Sequence, residues 1–142
     1  QRAHPTWTSM ERGVGTVSEG KVIYIADDEP EILNLLREAL EAKGHEIRAF
    51  SSGDALLEAL DGGSPDLILL DINMPGRSGW EVQTILSKRP DTRDVPVIAV
   101  TAQGGSSIEH SARETLGFTD FLRKPFRMAD LWETVDAAFQ DT

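Results

Sequence analysis

Four consecutive large apolar residues, Leu67-Ile68-Leu69-Leu70, run directly into a carboxylate, Asp71, and then into Ile72-Asn73-Met74-Pro75-Gly76. A run that short and that apolar reads as a β-strand buried on both faces, because a solvated face would impose alternation. Met74-Pro75-Gly76 cannot continue a ladder, so the strand stops and leaves Asp71 at its carboxyl end. In open α/β sheets that rim is where ligands bind. Taken alone, Asp71 could equally open the turn.

The flanking chain repeats this arrangement. From Lys21 onward, strand-like and helix-like segments alternate with short connections, the pattern of a parallel sheet with helices on its faces. Val22 to Ala26 is the first predicted strand, and Asp27-Asp28-Glu29-Pro30 follows it, with proline suited to the first turn of a helix. Ile32, Leu35, Leu36, Ala39 and Leu40 then form one apolar stripe, and Gly44 ends that helix. His45 to Phe50 is a second, more polar strand expected near an edge. Ser51-Ser52-Gly53-Asp54 caps a short helix carrying Leu56, Ala59 and Leu60, and Asp61 to Pro65 is a turn cluster. Trp80, Val82, Ile85 and Leu86 mark a third helix that must end before Pro90.

Val97 to Val100 is a fourth buried strand and ends in Thr101. Gly104-Gly105-Ser106-Ser107 weakens the next helix, which keeps only a thin stripe of Ile108, Ala112 and Leu116; each glycine costs a helix up to about 1 kcal/mol relative to alanine. Phe118 to Leu122 is a fifth strand, followed by Arg123-Lys124-Pro125-Phe126. Met128, Leu131, Trp132, Val135, Ala138 and Phe139 space a strongly amphipathic final helix. The expectation is five strands and five helices in one domain over residues 21–142. Residues 1–20 read as a glycine-interrupted tail, whether an added leader, a natural arm or a linker. Trp7, the only large apolar residue in its first nine, is expected to anchor it.

If the helically connected strands are parallel, Asp27, Asp28, Asp71, Thr101 and Lys124 share one rim. Clustered carboxylates repel unless a cation sits among them, and an oxygen-only set favours a hard cation such as Mg²⁺. A lysine and a hydroxyl add donors suited to phosphoryl oxygens. Each residue also has an ordinary reading: helix capping for Asp28, strand propensity for Thr101, a solvated loop charge for Lys124. Joint placement at four strand ends argues against all of them at once.

Net charge narrows the partners. The chain of 142 residues carries −10, and residues 1–20 hold two basic and two acidic side chains, so the whole excess lies in residues 21–142. Such a domain has no electrostatic footprint for duplex nucleic acid. It has no cysteine for disulfides or thiolate metal sites, and no apolar run near the roughly 18 residues of a membrane span. A cytoplasmic location is the default expectation.

Four motifs in this order and spacing resemble the receiver domain of bacterial two-component response regulators over Lys21 to about Gln140. They are Ala26-Asp27-Asp28-Glu29-Pro30, Leu70 to Pro75 with Gly79 four residues on, Val100-Thr101-Ala102, and Lys124-Pro125-Phe126. The resemblance implies a flavodoxin-like doubly wound sheet of order 2-1-3-4-5. It implies that Asp71 is the phosphoacceptor, that Asp28 ligates Mg²⁺ directly and Asp27 through water, and that Asn73 offers its backbone carbonyl to the metal. Thr101 and Lys124 would hold the phosphoryl group, with Lys124-Pro125 cis. Phe121 would be the aromatic switch residue, while Asn73 and Gln103 would tune dephosphorylation.

The implied function is a phosphoacceptor module in a His-to-Asp relay, with no catalytic activity beyond its own phosphorylation and dephosphorylation. Its partners would be a sensor histidine kinase or a histidine phosphotransfer protein. A downstream protein would bind the face built from the fourth helix, fifth strand and last helix, and a homodimer is a further option. An attached output domain is not expected, since the chain ends one helix after Lys124. Two alternatives stay open: a pseudo-receiver that binds without phosphorylation, and an aspartate-nucleophile phosphohydrolase. The latter typically needs a second acid two residues after the nucleophile, where this chain has Asn73.

Overall fold

The computed structural model describes residues 20–102 and 117–140. The strand that opened the sequence argument is β3, Leu67–Asp71, and every one of its residues is buried. It lies at the centre of a five-stranded parallel sheet of order β2-β1-β3-β4-β5. The other strands are β1 (Val22–Ala26), β2 (Glu46–Phe50), β4 (Val97–Thr101) and β5 (Asp120–Arg123). The helices are α1 (Pro30–Glu41), α2 (Gly53–Ala59), α3 (Gly79–Lys88) and α4 (Met128–Gln140).

Alternation along β3 divides the core into two layers. Ile68 and Leu70 face the side covered by α2 and α3, where Leu56, Val82, Leu86 and Phe118 pack. Leu67 and Leu69 face the side covered by α1 and α4, with Leu36, Leu40, Leu131 and Val135. Both faces of β3 are therefore dry, which is why its sequence shows no polar alternation. β2 lies at an edge, as its polarity predicts, and none of its residues is fully buried.

Local chemistry sets the helix ends. Pro30 opens α1, and Gly44, at φ +90°, follows its end. The Ser52 hydroxyl accepts a bond from Ala55 N–H at the start of α2. Ser78 and Glu81 form a reciprocal capping box at the start of α3, which ends at Lys88 because Arg89 is held extended before Pro90.

Two expectations need correction. Leu35 does not join the buried stripe of α1. It is 36% exposed, and Leu33 packs on the core in its place, because the apolar arc is centred on Leu36 and Leu40. The fifth strand begins at Asp120 rather than Phe118: Gly117 turns at φ +80°, and Thr119 N–H makes a lead-in bond of 2.8 Å to Val97 O just ahead of the Ile98–Asp120 register. Phe118 is instead a core side chain packed edge-on to Trp80. The expected fourth helix, Gln103, Trp7 and nearly all of the amino-terminal tail lie outside the described residues.

Candidate functional site

Register carries the predicted residues to one place. Ala26 pairs with Leu70, Asp71 with Val100, and Thr101 with Arg123, so each residue following those positions emerges at the same rim. Backbone bonds extend the ladders past the strands: Asp27 N–H donates to Phe50 O at 3.1 Å, and Lys124 N–H to Thr101 O at 2.8 Å. Asp27, Asp71 and Thr101 are all buried, and Asp28 is half-buried.

Carboxylate oxygens of Asp27, Asp28 and Asp71 lie within 4.8 Å of one another, an arrangement that can hold a metal ion. Lys124 reaches in from the end of β5. Its Nζ lies 2.7 Å from Glu29 Oε1, 3.2 Å from Asp27 Oδ2 and 3.7 Å from Asp71 Oδ1. The Lys124-Pro125 peptide is cis, as the resemblance implies. Asp27 Oδ1 accepts from Glu29 N–H at 2.9 Å and Asp71 Oδ1 from Asn73 N–H at 3.2 Å. Asp28, Glu29, Asp71, Asn73, Ala102 and Lys124 line an open cleft of about 200 Å³.

The electrostatics follow from burying more negative than positive charge. Burial pushes the Asp71 carboxyl up to about 7, and the neighbouring Asp27 charge and the Asp28 side chain push the same way against the lowering effects of Lys124 and Asn73 N–H. Burial also raises Asp27, against the bond from Glu29 N–H and the Lys124 charge. Lys124 is pulled down by burial, but the Glu29 hydrogen bond and the charges of Asp27 and Asp71 outweigh this and hold it above the ordinary lysine value. Among the described residues, Asp27 Oδ2, fully enclosed, has no well-angled hydrogen-bond donor and meets Lys124 as an ion pair. A cleft with surplus buried carboxylate and an under-donated oxygen suits a hard cation, so the residues fit Mg²⁺.

Thr101 and Phe121 occupy the same face of the sheet, since Ala99 pairs with Phe121 and Thr101 lies two residues beyond Ala99. Phe121 is half-buried and packs against Phe118, with ring centroids 5.4 Å apart. Asn73 is exposed and lines the cleft. Sequence reasoning gave no role to Glu29, although it is the acid nearest the Lys124 ammonium. Its position immediately after the acid pair and before Pro30 was the available signal.

With this geometry in view, the relatives are informative. Residues 23–136 match the response regulator receiver domain, and the chain belongs to that family. It is 36% identical over 134 residues to the cyclic di-GMP phosphodiesterase response regulator RpfG of Xanthomonas campestris pv. campestris, covering 90% of this chain and 35% of that protein. It is 37% identical over 115 residues to the phosphate regulon transcriptional regulatory protein PhoB of Rhizobium meliloti, covering 81% of this chain and 50% of that protein. The chain thus spans half or less of the length of these relatives. Among solved structures, it superposes on a putative response regulator from Chloroflexus aurantiacus with TM-score 0.79 and 28% identity, covering 86% of this chain and 99% of that one. The receiver domain of NtrX from Brucella abortus gives TM-score 0.77 and 29% identity, covering 84% and 99%. The flavodoxin-like order is shared with CheY4 of Vibrio cholerae at TM-score 0.79 and 22% identity, covering 84% and 98%.

Proposed function

We propose that this receiver domain is a phosphoacceptor in a His-to-Asp relay and that Asp71 takes the phosphoryl group. The observation that carries this is the Asp71 carboxylate itself, buried beside two other aspartates and facing Lys124 across an open cleft. An Asp71 oxygen attacks the phosphorus of a phosphohistidine on a kinase or phosphotransfer partner. The new O–P bond forms as the P–N bond breaks, and the electron pair leaves on the imidazole nitrogen, which then takes a proton.

Attack requires the ionised carboxylate, and a pKa near 7 leaves a substantial fraction protonated at neutral pH. Asp27, Asp28, Asp71 and the backbone carbonyl of Asn73 would hold Mg²⁺. When bound, the ion favours the ionised form of Asp71 and neutralises charge on the transferring oxygens. Lys124 and the Thr101 hydroxyl bind the phosphoryl oxygens once transfer has occurred. The half-buried Phe121, on the same face as Thr101, reports the rearrangement by packing, because it has no hydroxyl to donate. β5 and α4 then present the altered face to a downstream protein. Asn73 and Gln103 set how quickly water removes the phosphoryl group.

The cytoplasm is the compartment in which this relay operates, and no described helix is long and apolar enough to cross a membrane. The test is intact-mass spectrometry after incubation with acetyl phosphate and Mg²⁺. Wild type gains one phosphoryl mass, and Asp71→Asn gains none while keeping its fold by circular dichroism. A phosphoryl adduct on the variant overturns the assignment, and no adduct on wild type favours the pseudo-receiver.

A further inference from the structure

Lys124 does not make its shortest contact with the residue it serves in this reading. Its ammonium lies 2.7 Å from Glu29 Oε1, whereas Asp71 Oδ1, at 3.7 Å, is beyond direct hydrogen-bond distance. Glu29 is held in place to make that contact. Its backbone N–H is tied to Asp27 Oδ1 at 2.9 Å, and Pro30 fixes the start of α1 immediately after it. Its side chain is 58% exposed while that of Lys124 is 13% exposed, so the pair lies at the solvent side of the cleft that both residues line.

We propose that Glu29 is a latch: in the resting protein its carboxylate holds the Lys124 ammonium toward the cleft mouth, and releasing that contact frees Lys124 for the phosphoryl group on Asp71. The proposal rests on the phosphoacceptor reading of Asp71 and makes Glu29 a positioning residue. The Glu29 carboxylate is open to water and screened by salt although Lys124 is largely enclosed, so this contact is one that an arriving phosphoryl group, with stronger acceptor oxygens, can displace. The latch also places a negative charge at the entrance, where it opposes entry of small anionic phosphodonors.

Two measurements separate the latch from the phosphoacceptor assignment. The first is amine labelling of the metal-free protein by an acylating reagent, read per site by mass spectrometry, with exposed Lys88 as internal reference. Glu29→Gln raises Lys124 labelling about two- to five-fold, and added salt raises it more in wild type than in the variant, which keeps the ion pairs to Asp27 and Asp71. The second is the rate of Asp71 phosphorylation by acetyl phosphate with Mg²⁺, which rises by a similar factor in Glu29→Gln, with a lower KM from the lost entrance charge. Unchanged Lys124 labelling overturns the contact. Raised labelling with an unchanged phosphorylation rate overturns its role as a latch. Absence of phosphorylation in wild type removes the acceptor reading and the latch with it, while the labelling result still reports the ion pair.

Discussion

The two ends of the same five strands are built in opposite ways. At the carboxyl rim, Asp27 and Asp71 are buried and share one ammonium, and both carboxyls are raised above their ordinary values. At the amino rim several polar groups are paired and open to water. Val22 N–H donates to Asp66 Oδ2 at 2.8 Å, Ser64 Oγ to Asp91 O at 2.9 Å, and Arg89 grips Asp91 through two bonds of 2.9 and 3.0 Å. That hydrogen bond from Arg89 lowers the Asp91 carboxyl. One rim tolerates unfavourable burial of charge where a ligand can relieve it, and the other satisfies its polar groups locally. Stability and function are thereby separated along the length of each strand.

The largest test of that contrast uses glycine. A Cβ on Gly79 would stand 2.5 Å from Asp71 O and 2.6 Å from Ile72 Cα, backbone atoms that cannot rotate away. Gly79→Ala is expected to cost about 3 kcal/mol in urea unfolding and to weaken phosphorylation of whatever remains folded. Gly62→Ala, near the other rim, has open space around the new Cβ and should stay within about 0.5 kcal/mol of wild type.

A second test removes charge from each rim. Asp71→Asn relieves a buried carboxylate and should stabilise the metal-free domain by about 2 kcal/mol above neutral pH, seen as a raised Tm. Asp91→Asn loses an exposed ion pair and should leave Tm near that of wild type. A drop in stability for Asp71→Asn would mean that the carboxylate is a structural asset and would break the comparison.

The third effect, the smallest per pH unit, is the slope of stability with pH. The folded Asp71 carboxyl titrates near 7 and the unfolded one near 3.8, so between those values the native state keeps a proton that the unfolded chain has lost. Metal-free stability therefore falls as pH rises through this window, by at most about 1.4 kcal/mol per pH unit. The contribution of Asp91 has the opposite sign: it is present above 3.8 and lost only as pH falls below that value. Denaturant midpoints from about pH 2 to about pH 8, with and without Mg²⁺, measure both; Mg²⁺ should flatten the Asp71 slope and leave the acid-side loss unchanged.

How far the sequence could be read follows the same division. Strands β1, β3 and β4 were visible because burial on both faces excludes polar residues, and the rim residues were visible because they interrupt those runs. The start of β5 was misplaced because the apolar character of Phe118 comes from packing beside Trp80 rather than from pairing. Leu35 was misplaced because a five-residue stripe on α1 is wider than the arc that the sheet covers. Glu29 was overlooked because its partner lies 95 residues away, and no local periodicity encodes that distance.

That separation also bears on how the domain is made. The three aspartates are supplied by the first half of the chain, but their ammonium arrives only after β5 has paired with β4 and Lys124 N–H has joined Thr101 O. Contacts this distant in sequence form late, after the loop-closure entropy of everything between has been overcome. A nascent or partly folded chain thus carries the Asp71 carboxylate without the cation that completes its surroundings. Under the function proposed above, competence to receive a phosphoryl group would come only with finished folding.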